Sequence, residues 1–196
     1  GSSAVPIVRV PWNDQVIIKR TLDVGAYGLV VPLVKTAEDV RNAVSYAKYP
    51  PMGIRGCAPR RASDYGRRYY EYLEKANDAT IVIVQIEHYE AVNNLDEILQ
   101  VPGLDGVLIG LVDLSNSMGY FAQQNHPEVI KVADEVIRKT RAAGICAGCA
   151  AGGTPEQLGD WLRKGVQFLP VGIDRGYIAQ KGAQVLKDVT AQIPPK

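Results

Sequence analysis

The chain has 196 residues, 46% hydrophobic and 22% charged, with a formal net charge of +1. That balance suits a folded domain with a sizeable core, and it excludes the strongly basic surface of a nucleic-acid or anionic-lipid binder. No apolar run reaches the roughly 18 residues of a membrane helix.

Residues 5–10 read as a strand, followed by a helix over about 13–24 that Asn13 or Asp14 caps and Gly25 ends. A strand over 28–34 leads to a helix from Thr36 to about Lys48, where Thr36 and Asp39 have the spacing of a capping box. Residues 49–78 break the rhythm with a Pro-Pro-Met-Gly-Ile-Arg-Gly turn and a basic, tyrosine-rich stretch at 60–72, long enough for a functional loop or lid. The alternation resumes with strand 79–87, helix 89–99, strand 106–110, helix 127–143, strand 145–150, helix 155–164, strand 168–172 and a last helix over about 174–191. About six β-α units imply a parallel sheet with right-handed crossovers. A doubly wound sheet lacks its phosphate fingerprint after the first strand. A (β/α)₈ barrel needs about eight strands and 250 residues, more than this chain offers.

Cys57, Cys146 and Cys149 are an odd number of cysteines, which points to a reducing, cytoplasmic setting. The opening Gly-Ser-Ser-Ala lacks the basic and apolar regions of a signal peptide. Cys146 and Cys149 lie three apart in a strand, hence on opposite faces, and read as small core residues rather than a redox or zinc pair.

Glu87 and Asp113 each end a hydrophobic run, at 79–87 and 106–113. Carboxylates at consecutive strand ends suit a divalent cation, and the carboxyl ends of barrel strands carry the chemistry. The alternatives are an acid capping the next helix for Glu87 and a helix N-cap for Asp113. Gln85 shares a strand face with Glu87. Arg9 ends the first strand on the face of Ile7, where a guanidinium suits a carboxylate or an enolate oxygen, or else an ion pair across the rim. His88 reads as a loop or interface residue and His126 as a helix-start residue.

Five ordered motifs, at 7–13, 18–26, 49–56, 84–87 and 105–115, together resemble the class II pyruvate aldolases of the HpcH/HpaI family. That family holds the 4-hydroxy-2-oxoheptanedioate aldolases, with macrophomate synthase as a fungal relative. The resemblance covers nearly the whole chain. It implies a metal-dependent (β/α)₈ barrel of the phosphoenolpyruvate/pyruvate type, with residues 1–196 forming a single incomplete domain over about strands 3 to 8. The first two units, which in the family carry a histidine-bearing strand end associated with the catalytic base, are expected from elsewhere in the native polypeptide or from another chain.

The resemblance also implies roles. Glu87 and Asp113 hold Mg²⁺, Mn²⁺ or Co²⁺; Gln85 lies beside the substrate; amides near Val112 and Asp113 bind the pyruvate carboxylate; Arg9 is catalytic and binds the keto acid. The reaction implied is reversible cleavage of a 4-hydroxy-2-oxo acid to pyruvate and an aldehyde, in a homo-oligomer, a hexamer or trimer with exchanged terminal helices. The stretch 60–72 is expected to bind the far carboxylate or cover the site. One departure is Gly110-Leu111, where family members have Gly-Pro. Two other classes stay open: a citryl- or malyl-CoA lyase, and a degenerate member without catalysis.

Overall fold

The structure, a computed structural model, describes residues 3–193. Its strands are β1 (Ile7–Arg9), β2 (Gly28–Val31), β3 (Ile81–Ile86), β4 (Gly106–Ile109) and β5 (Cys146–Cys149). The helices are α1 (Gln15–Asp23), α2 (Ala37–Ala47), α3 (Tyr69–Ala79), α4 (Tyr89–Asn93), α5 (Leu95–Ile98), α6 (Leu111–Ser117), α7 (Pro127–Ala142), α8 (Pro155–Arg163) and α9 (Asp174–Thr190), with a 3₁₀ turn at Arg61–Ser63.

Among the described residues the strands form one parallel sheet in the order β1-β2-β3-β4-β5. Each strand lies beside its sequence neighbour and the order never reverses, so no switch point of a doubly wound sheet exists. The burial pattern says the same. Leu29, Val31, Val82, Val84, Ile86, Val107 and Ile109 pack with residues of α1, α2, α5 and α7 into the main core. Val30, Ile83 and Leu108 point the other way and form a second cluster with Ile7, Ile81, Ala150 and Phe168. Helices thus cover a single face, as they do in a barrel wall. Burial on both faces is why these strands are continuous apolar runs.

Local signals set the helices. Asp14 caps α1 by accepting from Ile17 N–H at 2.9 Å. The Thr36–Asp39 capping box closes as its spacing indicates, with Asp39 Oδ2 2.9 Å from Thr36 N. Ala37, Val40, Ala43, Val44 and Ala47 then give α2 a buried stripe.

Several elements differ from the sequence reading. Helix α3 occupies the end of the expected loop; its tyrosines and charges leave only Ala76 fully buried, so no apolar stripe announces it. Strand β3 starts at Ile81 because Ala79 ends α3 and Thr80 caps it. The expected helix 89–99 divides at Asn94 into α4 and α5. The first strand shortens to Ile7–Arg9. The expected strand 168–172 reduces to a single parallel bridge between Phe168 and Gly148, where Pro170 has no N–H to extend a ladder. Helix α9 forms over its expected span but has no buried residue.

The stretch 60–72 lies at the opposite end of the sheet from Glu87. Ala62, Arg68 and Tyr72 line a cleft with Tyr27 and Thr80, which precede β2 and β3. It therefore does not cover the carboxylates of its own sheet, and the expectation of a lid over them is corrected. The preceding Pro-Pro-Met-Gly-Ile-Arg-Gly turn is structural. A Cβ on Gly53 would run into the carbonyl oxygens of Ser45 and Lys48, so only glycine lets the turn lie on the end of α2. Arg55 is fully buried, its Nη2 donating to Asp23 Oδ1 at 2.8 Å and to Tyr72 Oη at 3.1 Å, with the guanidinium 4.5 Å from the Tyr49 ring centre.

Asp23 also pairs with Lys19, whereas Asp23 is the one acid that Arg55 meets among the described residues, so removing Asp23 strands a fully buried charge. Asp23→Leu should lower unfolding stability by about 3–5 kcal/mol in urea titration, and adding Arg55→Leu should recover part of that loss.

All three cysteines are free; Cys149 is a core residue as the strand reading expects, whereas Cys146 at the start of β5 is half-buried. Cys149 joins the helix-side core, and burial pushes its thiol up to about 12, whereas Cys57 is exposed. With a disulfide reagent under native conditions Cys57 should react first and Cys149 only on unfolding, followed by thiol release.

Candidate active site

Glu87 follows the last residue of β3 and is 4% exposed, with Gln85 on the same face at 8%. Glu87 Oε1 accepts from the backbone N–H of Leu33 at 2.9 Å. Leu33 has φ 54°, a left-handed conformation that costs a residue with a side chain about 1–2 kcal/mol. On the other flank stands Gly110. A Cβ there would lie 2.7 Å from Glu87 Oε2, 2.8 Å from Glu87 Cβ and 2.9 Å from Gln85 Nε2. The carboxyl is thus held between the ends of β2 and β4.

Its surroundings leave that carboxyl short of stabilisation. Burial raises the Glu87 pKa above the ordinary carboxylate range; the Leu33 N–H opposes the shift, the Asp113 charge reinforces it, and Arg9 and the Gln85 amide oppose it more weakly. Arg9, Gln85, Glu87 and Asp113 therefore gather at the carboxyl end of the sheet, as the sequence reading places them. Arg9 is exposed and, among the described residues, makes no ion pair. Gln85 Oε1 is buried without a hydrogen-bond partner.

Asp113 sits differently from expectation. β4 ends at Ile109, and Asp113 is the third residue of α6, exposed, with Gly110 as the N-cap. Its helix begins earlier than the sequence reading has it because Leu111 buries in the core. Leu111 is the first helical position, where the resemblance leads one to expect proline; burial of Leu111 holds the start of α6 here. The N–H groups of Val112 and Asp113 donate to no backbone carbonyl among the described residues.

Both histidines are caps, in line with the structural reading. His88 Nδ1 accepts from Glu90 N at 3.2 Å, and His126 Nδ1 accepts from Glu128 N while its ring stacks on Tyr120 at 3.8 Å. Sequence reasoning missed Leu33 and Gly110. Neither residue type advertises chemistry, and only backbone conformation and available space reveal them.

No group of three or more His, Cys, Asp or Glu side chains suited to a metal exists among the described residues. The donors present are two carboxylates and the unpartnered Gln85 oxygen, all hard. Such a set fits Mg²⁺ or Mn²⁺, which one or two carboxylates hold while substrate oxygens and water fill the remaining positions.

The profile of the family described as HpcH/HpaI aldolase/citrate lyase matches residues 2–180. The 4-hydroxy-2-oxo-heptane-1,7-dioate aldolase of Salmonella paratyphi C (strain RKS4594) is 46% identical over 183 residues, covering 92% of this chain and 68% of that protein. A solved HpcH/HpaI aldolase/citrate lyase family protein from Burkholderia cenocepacia J2315 superposes with TM-score 0.88 at 32% identity, over 95% of this chain and 74% of that one. Macrophomate synthase shares the fold, with TM-score 0.78 at 24% identity over 94% of this chain and 65% of its own. A sheet wound in one direction, with acids at its carboxyl end and a match along nearly its whole length, places the chain in a known group: it belongs to the HpcH/HpaI aldolase/citrate lyase family.

Proposed function

We propose that this chain is a divalent-metal-dependent aldolase that reversibly cleaves a 4-hydroxy-2-oxo acid to pyruvate and an aldehyde. We further propose that the chain covers about strands 3 to 8 of a single (β/α)₈ domain, the sixth of these being represented by the Phe168 bridge. The observation that carries the reading is the buried Glu87 carboxyl, under-stabilised and repelled by Asp113, at the carboxyl end of the sheet.

Glu87 and Asp113 would hold the cation, which when bound supplies Lewis-acid stabilisation of negative charge on the keto-acid oxygens. Arg9 offers a planar, permanently charged fork that positions the keto acid and shares the charge developing on its C2 oxygen as the C3–C4 bond breaks. The free N–H groups of Val112 and Asp113 suit the pyruvate carboxylate. Gln85 forms part of the floor, its open Oε1 available to a substrate hydroxyl or water.

A lysine imine mechanism has no support at this end of the sheet. Lys48 is the buried lysine among the described residues, and burial lowers its pKa, yet its Nζ is spent on the carbonyls of Asn77 and Thr80 at 2.5 and 2.6 Å, at the amino end of β3. The family's citrate lyase branch supports a second reading, cleavage of a citryl- or malyl-CoA thioester, which coenzyme A dependence would reveal. The aldolase relative favours the first.

The reading extends to assembly and setting. Tyr177, Ile178, Val185, Leu186 and Val189 of α9 are exposed, and a homo-oligomer, hexamer or trimer, exchanging terminal helices would cover them. Three free thiols fit a reducing, cytoplasmic location. No described helix is long and apolar enough to cross a membrane.

Pyruvate release from a 4-hydroxy-2-oxo acid, followed with Mg²⁺, Mn²⁺ or Co²⁺, should stop on adding a chelator and return with metal. Persistence of full turnover in excess chelator would reject the metal role. Arg9→Lys should lower kcat/KM by about tenfold or more despite the kept charge, because lysine lacks the fork.

Metal binding should also register without turnover. At about 100 times its Kd, Mn²⁺ contributes about 2.7 kcal/mol to a site that only the folded state offers. Thermal melts should therefore shift upward with Mn²⁺ for the parent chain and not for Glu87→Gln.

A further inference from the structure

We infer that Leu33 and Gly110 are positioning residues for the Glu87 carboxylate. Leu33 acts through the backbone N–H that its left-handed conformation aims at Oε1, and Gly110 through an absent side chain that gives Oε2 room. The inference rests on the metal-ligand reading of Glu87 given above.

Leu33 follows Pro32 just beyond β2. A left-handed φ is ordinary for glycine and tolerable for asparagine or aspartate, whose short side chains bond locally; leucine has neither advantage. Nor is the conformation explained by burying the side chain, which is 42% exposed. What it secures is a hydrogen bond to a side chain 54 residues away.

Gly110 presents the complementary case. Its φ of −96° and ψ of 88° lie outside the left-handed region, so freedom of rotation is not what requires glycine. Space is. All three contacts of an added Cβ fall below 3.0 Å, and one is with Glu87 Cβ, which cannot swing aside like the tip of a long side chain. A methyl group there must push the Glu87 side chain toward β2 or part β3 from β4. The two residues thus fix the carboxylate from opposite flanks, Oε1 by a donor and Oε2 by a void, leaving it one orientation. Fixing a ligand before metal arrives is what groups behind a metal site do, and losing one commonly weakens binding by about 10- to 100-fold.

Two substitutions at Leu33 separate a backbone role from a side-chain role. Leu33→Gly discards the side chain and keeps both the N–H and access to the left-handed region. Leu33→Val keeps an apolar side chain, but its branched Cβ opposes that region. Titration of Mn²⁺ alone into the 196-residue chain, followed by the electron paramagnetic resonance of free Mn²⁺, reads affinity without turnover. The absorption of bound Co²⁺ reads coordination, which a purely structural role would leave unchanged. We expect parent-like binding for Leu33→Gly, and binding weaker by about 10- to 100-fold with an altered Co²⁺ spectrum for Leu33→Val and Gly110→Ala. Melts of the metal-free Leu33 variants should stay cooperative and close to the parent.

Parent-like binding and spectra in Leu33→Val, or a loss confined to Leu33→Gly, would overturn the inference, as would an unchanged Gly110→Ala. If Gly110→Ala does not fold, the Leu33 pair decides alone. Glu87→Gln is the separate control: should it bind Mn²⁺ as the parent does, the metal-ligand reading itself falls, and the positioning role with it.

Discussion

A carboxyl group buried at the end of β3 is the feature around which the carboxyl face of this protein is arranged. Taking Glu87 to 4% exposure removes most of the water that would stabilise its charge. One backbone N–H, a neighbouring amide and a guanidinium acting at a distance return only part of that stabilisation, while Asp113 works against it. A fold selected for stability alone would replace Glu87 with an apolar residue or complete its hydrogen bonds. On the reading proposed above, that deficit is what a divalent cation would fill.

That placement depends on the direction of winding. Because the sheet runs β1 to β5 without reversal, its helices gather on one face and the other faces inward. Alternate residues of β3 therefore divide cleanly: Val82, Val84 and Ile86 anchor the helix layer, and Ile83, Gln85 and then Glu87 point inward. Parallel strands also put every carboxyl end on the same side. Loops separated by dozens of residues, those carrying Arg9, Leu33, Glu87 and Asp113, are brought together without any of them being neighbours in sequence.

Much of this was legible from the chain. The strand runs are continuous apolar stretches because both faces are buried, and the residues that close them, Gln85 and Glu87, stand out by contrast. Asp113 was legible as an acid near the carboxyl end of the sheet but not as a member of α6, because the apolar Leu111-Val112 continues the strand pattern while the backbone already turns. Helix α3 was hidden by its tyrosines and charges, and α9 was found because its propensities suffice even though nothing buries it. Leu33 and Gly110 were beyond sequence reasoning for a different reason. Their significance lies in a dihedral angle and in an empty volume, and neither is written in a residue type.

The two ends of the sheet hold contrasting buried ions, and the contrast separates architecture from chemistry. At the amino end Lys48 gives two hydrogen bonds to carbonyls, and Arg55 finds Asp23, the Tyr72 hydroxyl and the Tyr49 ring. These groups join α1, α2 and α3, and each charge meets at least one partner, although Arg55 Nε and Nη1 and Tyr49 Oη are buried without a hydrogen-bond partner. At the carboxyl end Glu87 has a single backbone donor at its Oε1, Gln85 keeps an oxygen without a partner, and Arg9 pairs with no described acid. A buried polar atom that the fold leaves without a partner at a strand's carboxyl end is open to a bound group. The buried groups here are the Glu87 carboxyl and the Gln85 amide oxygen, with the exposed Asp113 and Arg9 beside them. On the reading proposed above, such a set would suit a cation and an anion in contact, as a chelated oxo acid presents them.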